Sequence, residues 1–363
     1  MKKTVFSRNR ILTILTVAAF AAVLSGCSLN KPRSFVPAAD GSNYISYSER
    51  AVPENQMSST AAATERRFNF WQSLSVPTQF NRIRDTWFIV DCYHNQILFN
   101  DAPDAQYIAL TDWQVVNSDI TQGHTIAGDG EIFLADDTEN NRVLVFERIV
   151  DKFITTQTYW NTGIRPHCTV YDEDTATWYV WSSMTGELFL FRRAAGTTDV
   201  YLTEQHTIEK LKGIYIRSFT IDRGRIYFVS GMPSSDNPDY KPAILCCDLK
   251  TLEIVKEYPV PDEIAGMAQI VHSGKNDWFI TVSTDAAGDQ GAAALLRTDD
   301  LSHLADGGYT DVFAEYFGGN GTPYNLSQVD QYWYLTVHVS EGPCIWRFEL
   351  DDAGGITNVV SLF

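Results

Sequence analysis

The sequence predicts an all-β fold, a six-bladed β-propeller with four antiparallel strands per blade, on three observations. One is a strand signature that recurs six times, starting at Trp87, Ile132, Trp178, Ile226, Trp278 and Trp333. These starts are 45 to 55 residues apart, the period of a blade made of short strands. The second is composition: each copy is an unbroken β-branched and aromatic run, as a strand buried on both faces requires. The third is the absence of apolar 3.6-residue periodicity beyond the N-terminal segment, with Gly- and Asp-bearing turns separating the apolar runs.

From the N-terminus, Lys2, Lys3, Arg8 and Arg10 form a basic region, followed by an apolar stretch at residues 11–24 that is short for a membrane span. Leu24-Ser25-Gly26-Cys27 comes next, so residues 1–26 are read as a leader and kept out of the fold. The motif resembles the lipobox of bacterial lipoproteins. That resemblance implies that Cys27 is lipidated and anchors the chain to the cell membrane on its extracytoplasmic face. Ser28 rather than Asp at the next position implies no retention at an inner membrane. Each buried CH₂ of an acyl chain adds about 0.8 kcal/mol of membrane affinity, so several chains anchor stably.

Residues 27–66, rich in Ser, Ala, Asn and Pro and without periodicity, read as a flexible tether. Residues 67–363 are the propeller, divisible into six units. Removing the four leader cations takes the net charge from −17 to −21. An acidic surface of that size excludes nucleic acid as a partner, because phosphate binding needs basic side chains.

The second unit shows the strand order. His124-Thr125-Ile126-Ala127 reads as an inner strand, Gly128-Asp129-Gly130 as a turn, and the signature as the second strand. A third strand lies at residues 142–146 and a more polar fourth at 153–157. The last unit is complete, with strands at 344–350 and 356–363. The ring then closes by packing blade six on blade one, or with residues 68–71 adding an outer strand to an end blade. Cys92, Cys168, Cys246, Cys247 and Cys344 read as small buried apolar residues, with a Cys92–Cys344 bridge between the first and last blades as the alternative.

Residues 123–136 and the following Asn140-Asn141-Arg142-Val143-Leu144-Val145-Phe146 resemble an NHL repeat, with a weaker echo at residues 91–98. The Asp, Asn and Arg marks are structural, since they satisfy turn backbone groups and pack along the blade.

Inner strands of a propeller line its central channel, and ligands bind at the channel mouth. Counting back from each signature gives Gln79, His124, His167, Ser218, Ala268 and Tyr324 as equivalent inner positions. His124 and His167 follow Gly123 and Pro166 on consecutive blades. Three readings stay open. In the first, Gln79, His124, His167, Ser218 and Tyr324 bind a polar ligand. In the second, His124 and His167 bind zinc or another divalent metal. The NHL resemblance bears on that one, because peptide amidating lyases of this type hold zinc on histidines from different blades; here Tyr324 would have to complete the set. In the third, the histidines only satisfy buried backbone groups. A calcium site is disfavoured, since Asn81 and Asn325 lie near inner strands but no carboxylate occupies an equivalent position. No G-x-S-x-G, H-E-x-x-H or phosphate loop is present. The function expected is a cell-surface binding or scaffold module for a protein, a glycan or a small polar molecule. A metal-dependent lyase or hydrolase is the alternative.

Overall fold

The structure, a computed structural model, describes residues 69–234 and 237–363. Cys27, the leader and the tether fall outside the described residues. Blade one consists of β1 (Pro77–Ile83), β2 (Thr86–Asp91), β3 (Gln96–Asn100) and β4 (Gln114–Asn117). Blade two has β5 (Ile126–Gly128), β6 (Ile132–Asp137), β7 (Arg142–Ile149) and β8 (Lys152–Trp160). Blade three has β9 (Pro166–Asp172), β10 (Thr177–Ser182), β11 (Glu187–Arg193) and β12 (Val200–Thr207). Blade four has β13 (Phe219–Asp222), β14 (Arg225–Phe228), β15 (Ala243–Asp248) and β16 (Ile254–Pro259). Blade five has β17 (Gly266–His272), β18 (Trp278–Thr284), β19 (Ala294–Thr298) and β20 (Thr310–Asp311). Blade six has β21 (Thr322–Val329), β22 (Tyr332–His338), β23 (Ile345–Leu350) and β24 (Ile356–Ser361).

Each sheet pairs its four strands in chain order, so every blade is built from contiguous sequence. The first strands neighbour one another around the axis, and β1 meets β21 to complete the ring. The signature runs form the second strands. Every residue of β2, β6 and β10 is buried, because each of these strands has a partner on both edges and another blade on both faces. The fold class and blade count expected from the period are therefore what the chain adopts.

Two local features depart from the sequence expectation. β5 begins at Ile126 rather than at His124, because the Asp136 carboxylate takes the backbone N–H groups of His124 and Thr125 at 2.8 and 2.9 Å. Blade five carries a short helix, α1 (Phe313–Phe317), after the two-residue β20. Asp311 sets this turn by accepting from Leu295 N at 3.2 Å and Phe313 N at 2.9 Å, and Phe313 and Phe317 are buried. Gly318, Gly319 and Gly321 then hold φ of 80°, 65° and 86°, the left-handed region that lets the helix turn sharply into β21.

The ring closes by packing and side-chain contacts, with no strand exchanged between the end blades. Phe80 of blade one, fully buried, meets Tyr334 of blade six at 5.0 Å and Phe363 at 6.3 Å between ring centroids. The Ser327 hydroxyl donates to the Phe80 carbonyl across the same junction. Asn69 and Trp71 add no outer strand: Asn69 N donates to Trp113 O at 2.7 Å, and Trp71 stacks on His94 at 4.1 Å. Cys92, Cys168, Cys246, Cys247 and Cys344 are all buried and free, so no bridge joins Cys92 to Cys344.

The Asp-Asn-Arg marks act at the β6–β7 turn, with Asp137 rather than Asp136 as the acceptor. Asp137 takes Thr121 N at 2.8 Å, Asn140 Nδ2 at 3.0 Å and Arg142 Nε. In blade one, Asp91 does the same with Ser75 N and His94 Nδ1, each at 2.7 Å, and Gln96 Nε2 at 2.9 Å. His94 thus has the turn role of Asn140.

Candidate functional site

Pairing registers locate the residues at the channel mouth. In four inner strands a β-bulge leaves one residue unpaired near the start: Thr78 in β1, His167 in β9, Ala268 in β17 and Tyr324 in β21. Carrying the same register past the start of β5 and β13 puts His124 and Arg217 at the corresponding level in blades two and four. A bulge bends the strand and re-aims the side chain, and it recurs next to binding sites. Counting from the signatures gives His124, His167, Ala268 and Tyr324 the same level. It misses Thr78 and Arg217 by one residue, because the mouth residue stands eight positions before its signature in blade two but nine in blades one and four.

Gln79 and Ser218 occupy the following position, and that position ties blades together. Gln79 Oε1 accepts from Ile126 N at 2.8 Å, and Thr125 Oγ1 accepts from Thr169 N at 2.6 Å. Ser218 Oγ donates to Ala268 O at 2.6 Å, and Gln269 Nε2 donates to Leu326 O at 3.1 Å. Cys168 Sγ, at the same level, lies 3.9 Å from Phe219 O. Each contact reaches the inner strand of the next blade. A usable signal was in the sequence: Pro77, Gly123, Pro166 and Pro323 all precede the mouth residue of their blade, so alignment on them gives Thr78 rather than Gln79.

The mouth residues form a continuous stack of rings. His124 and His167 lie face to face, centroids 3.7 Å apart and planes 24° off parallel. His124 also meets Tyr324 at 6.1 Å, and Tyr324 stacks on His338 at 4.2 Å. On the other side, the Tyr215 hydroxyl bonds His167 Nε2 at 3.1 Å, and the Arg217 guanidinium lies 4.9 Å above the Tyr215 ring. Blade one contributes the short Thr78 between blades two and six, which lets Tyr324 approach His124. Tyr215, Arg217, Tyr324 and His338 keep partial exposure, as side chains bordering a channel do. Among these, Tyr215, Arg217 and His338 were not singled out by sequence reasoning. His338 follows its signature strand directly, at the level Thr138 holds in blade two.

Burial keeps the three imidazoles and the Tyr324 phenol neutral. It holds His124 well below the ordinary histidine range and takes His167 and His338 down to about 3, with neighbouring positive charge acting in the same direction. Burial also raises the Tyr324 phenol far above its usual value. The fully buried Asp136 carboxyl is pushed up to about 7 by desolvation, against the hydrogen bonds it accepts. Hydrogen bonding fixes the His124 tautomer. The Thr138 hydroxyl gives its single proton to Pro166 O at 2.8 Å, so it must accept from His124 Nδ1 at 2.9 Å. His124 Nε2 is then an acceptor.

This arrangement does not fit a metal. Stacked imidazoles oppose ring faces rather than directing nitrogen lone pairs at one point, and a phenol held neutral is a poor third ligand. Among the described residues no three His, Cys, Asp or Glu side chains are placed to share an ion. At the other end of the same inner strands, a cleft of about 660 Å³ between blades three and four is lined by Asp172, Tyr179, Arg192, Glu204, Asp222 and Asp248. Its charged groups largely satisfy one another. Glu204 is held by Arg192 and by His206 at 2.9 Å, and Asp248 pairs with Arg225 while accepting from Lys250 N and Thr251 N.

No family model matches the chain, and no curated protein matches it significantly. Solved structures do resemble it. A protein of Bacteroides uniformis assigned as a 6-phosphogluconolactonase superposes with a TM-score of 0.54 at 12% identity, covering 80% of this chain and 87% of the other. A streptogramin B lyase gives 0.52 at 12% identity, covering 82% and 87%. Hydrazine synthase of Kuenenia stuttgartiensis gives 0.51 at 15% identity, covering 78% and 80%. Proteins with such different names share this architecture, so the likeness establishes the propeller fold and leaves the chemistry to the site.

Proposed function

We propose that the chain is a lipid-anchored, NHL-like propeller that acts as a binding module on the extracytoplasmic side of the membrane, taking a small polar ligand at the channel mouth. The observation that supports this is the cluster of uncharged imidazoles, phenols and one guanidinium at a single level around the axis, offering donors and acceptors to whatever enters. The NHL reading rests on the Asp91 and Asp137 turns, the only two that keep the marks. The anchoring rests on the Leu24-Ser25-Gly26-Cys27 motif. A metal-dependent lyase or hydrolase draws no support from the stacked histidines.

Ala268, the smallest of the six mouth residues, stands between Arg217 and Tyr324, so Ala268→Leu should fill the mouth. Thermal-shift screening of small polar compounds should yield ligands that stabilise the wild type and leave Ala268→Leu unmoved. Ligands that stabilise both proteins equally would place binding elsewhere. Separately, Cys27→Ala should abolish metabolic fatty-acid labelling, and undiminished labelling would rule out the anchor.

A further inference from the structure

Among the described residues, no carboxylate lies within 4.0 Å of the Arg217 guanidinium. Of the twelve described arginines, ten stand within 4.0 Å of a carboxylate. The exceptions are Arg347, which lies over the Tyr332 ring, and Arg217. Arg217 has only a long 3.4 Å contact from Nη1 to Gly266 O and the face of Tyr215. A half-buried charge has lost part of its hydration, and that cost is ordinarily offset by a partner. In a protein of net charge −17, an arginine with no described carboxylate within 4.0 Å is a place held for a foreign anion.

The neighbouring rings specify the rest of the ligand. His124 Nε2 is an acceptor, because Nδ1 donates to Thr138. His338 Nε2 is buried and has no hydrogen-bond partner among the described residues. The His338 ring bonds the Pro77 backbone through its other nitrogen, which therefore holds the proton. Bare imidazole nitrogens cannot bind an anionic oxygen, but they can accept from a hydroxyl.

We infer that the mouth selects a small hydroxylated oxyanion, its carboxylate or phosphate on the Arg217 guanidinium and its hydroxyl protons on His124 Nε2 and His338 Nε2. This rests on the reading of the mouth as a ligand site. It adds the chemical class: an anion alone or a polyol alone satisfies half of the groups present. A ligand that lacks the hydroxyl leaves a buried acceptor unpaired, and one that lacks the charge leaves the guanidinium as it stands.

The test is calorimetric titration of the intact propeller at constant ionic strength with glycerate and glycerol 3-phosphate, against acetate and glycerol. Either hydroxylated anion should bind at least about tenfold more tightly than both controls. The arm that binds identifies the acidic group. Arg217→Gln should weaken that binding at least about tenfold, while Arg217→Lys, which keeps the charge, should restore part of it. The thermal midpoint reports folding of each variant. If a variant fails to fold, ligand-induced chemical shifts of the His124, His167 and His338 ring protons in the wild type give the same answer. Glycerol binding as tightly as glycerate, with those ring protons shifting, would overturn the anion and leave the mouth as a ligand site. Failure of all four compounds to bind or to shift the rings would overturn the inference. Ligands from the wider screen that ignore Ala268→Leu would instead sink the site itself.

Discussion

Acidification is expected to destabilise this protein through its channel. The three mouth histidines stay neutral in the fold, His167 and His338 down to about pH 3, while in the unfolded chain they protonate near 6.5. Their contribution is therefore fully present above pH 6.5 and is lost as pH falls towards 3. Asp136 acts in the opposite sense. Folded, it holds its proton up to about 7, and unfolded it loses it near 3.8, so its contribution is present at low pH and is lost as pH rises through 7. His167 and His338 against Asp136 leave a net of one between pH 4 and 6.5, or roughly 1.4 kcal/mol per pH unit; His124 steepens that slope, and Asp91, whose carboxyl burial also raises, opposes it. Against a stability of about 5–15 kcal/mol, that slope removes a sizeable share of the total across this range. Urea titrations across this range should show the midpoint falling with pH. His124→Gln with His167→Gln leaves one histidine against Asp136 and should flatten the profile, so the difference between the two proteins isolates the rings from the many surface carboxylates. Parallel slopes in both proteins would mean that the rings already titrate normally in the fold.

Phe80→Ala is expected to cost about 3–5 kcal/mol, the range for removing a fully buried aromatic ring. Phe80 contacts Trp87 at 5.2 Å, Trp113 at 6.2 Å, Tyr334 at 5.0 Å and Phe363 at 6.3 Å, so one side chain joins blade one to blade six. No strand crosses that junction to hold it when packing weakens. Chemical denaturation measures the loss. Hydrogen exchange shows where it falls, and β1, β21 and β22 should lose protection before the strands of blade three. A double-mutant cycle with Tyr334→Ala should give a coupling above about 0.5 kcal/mol. Uniform loss of protection around the ring, with no coupling, would show that closure is not carried here.

The blades were legible because burial on both faces leaves little choice of residue: Trp178-Tyr179-Val180-Trp181 admits no other reading than an enclosed strand. The turn aspartates were legible as a type, although Asp136 and Asp137 had exchanged roles, since two adjacent carboxylates differ only in which backbone groups they meet. The mouth was half legible. His124, His167 and Tyr324 announced themselves by chemistry. Thr78 and Arg217 were hidden because the number of residues between the mouth position and its signature differs from blade to blade, and that difference marks no side chain. Tyr215 and His338 reach the mouth from outside the inner strands, and only three-dimensional neighbourhood identifies them. The blade-to-blade role of Gln79 and Ser218 was likewise invisible, because a side chain bonded to a neighbouring backbone imposes no pattern along its own strand.

The residue that stands outside the pairing of four inner strands, with its counterparts ahead of the other two, has a consequence for how such a molecule can change over time. A residue outside the hydrogen-bonded ladder can be exchanged without shifting the register of its strand, and the lateral ties one residue further on keep the blades together meanwhile. Thr78, His124, His167, Arg217, Ala268 and Tyr324 thus behave as independently replaceable letters around a fixed frame. New specificities would arise by rewriting those letters one at a time, each step leaving a folded protein for selection to act on. A library randomised at these six positions alone should stay mostly folded while its binding diverges.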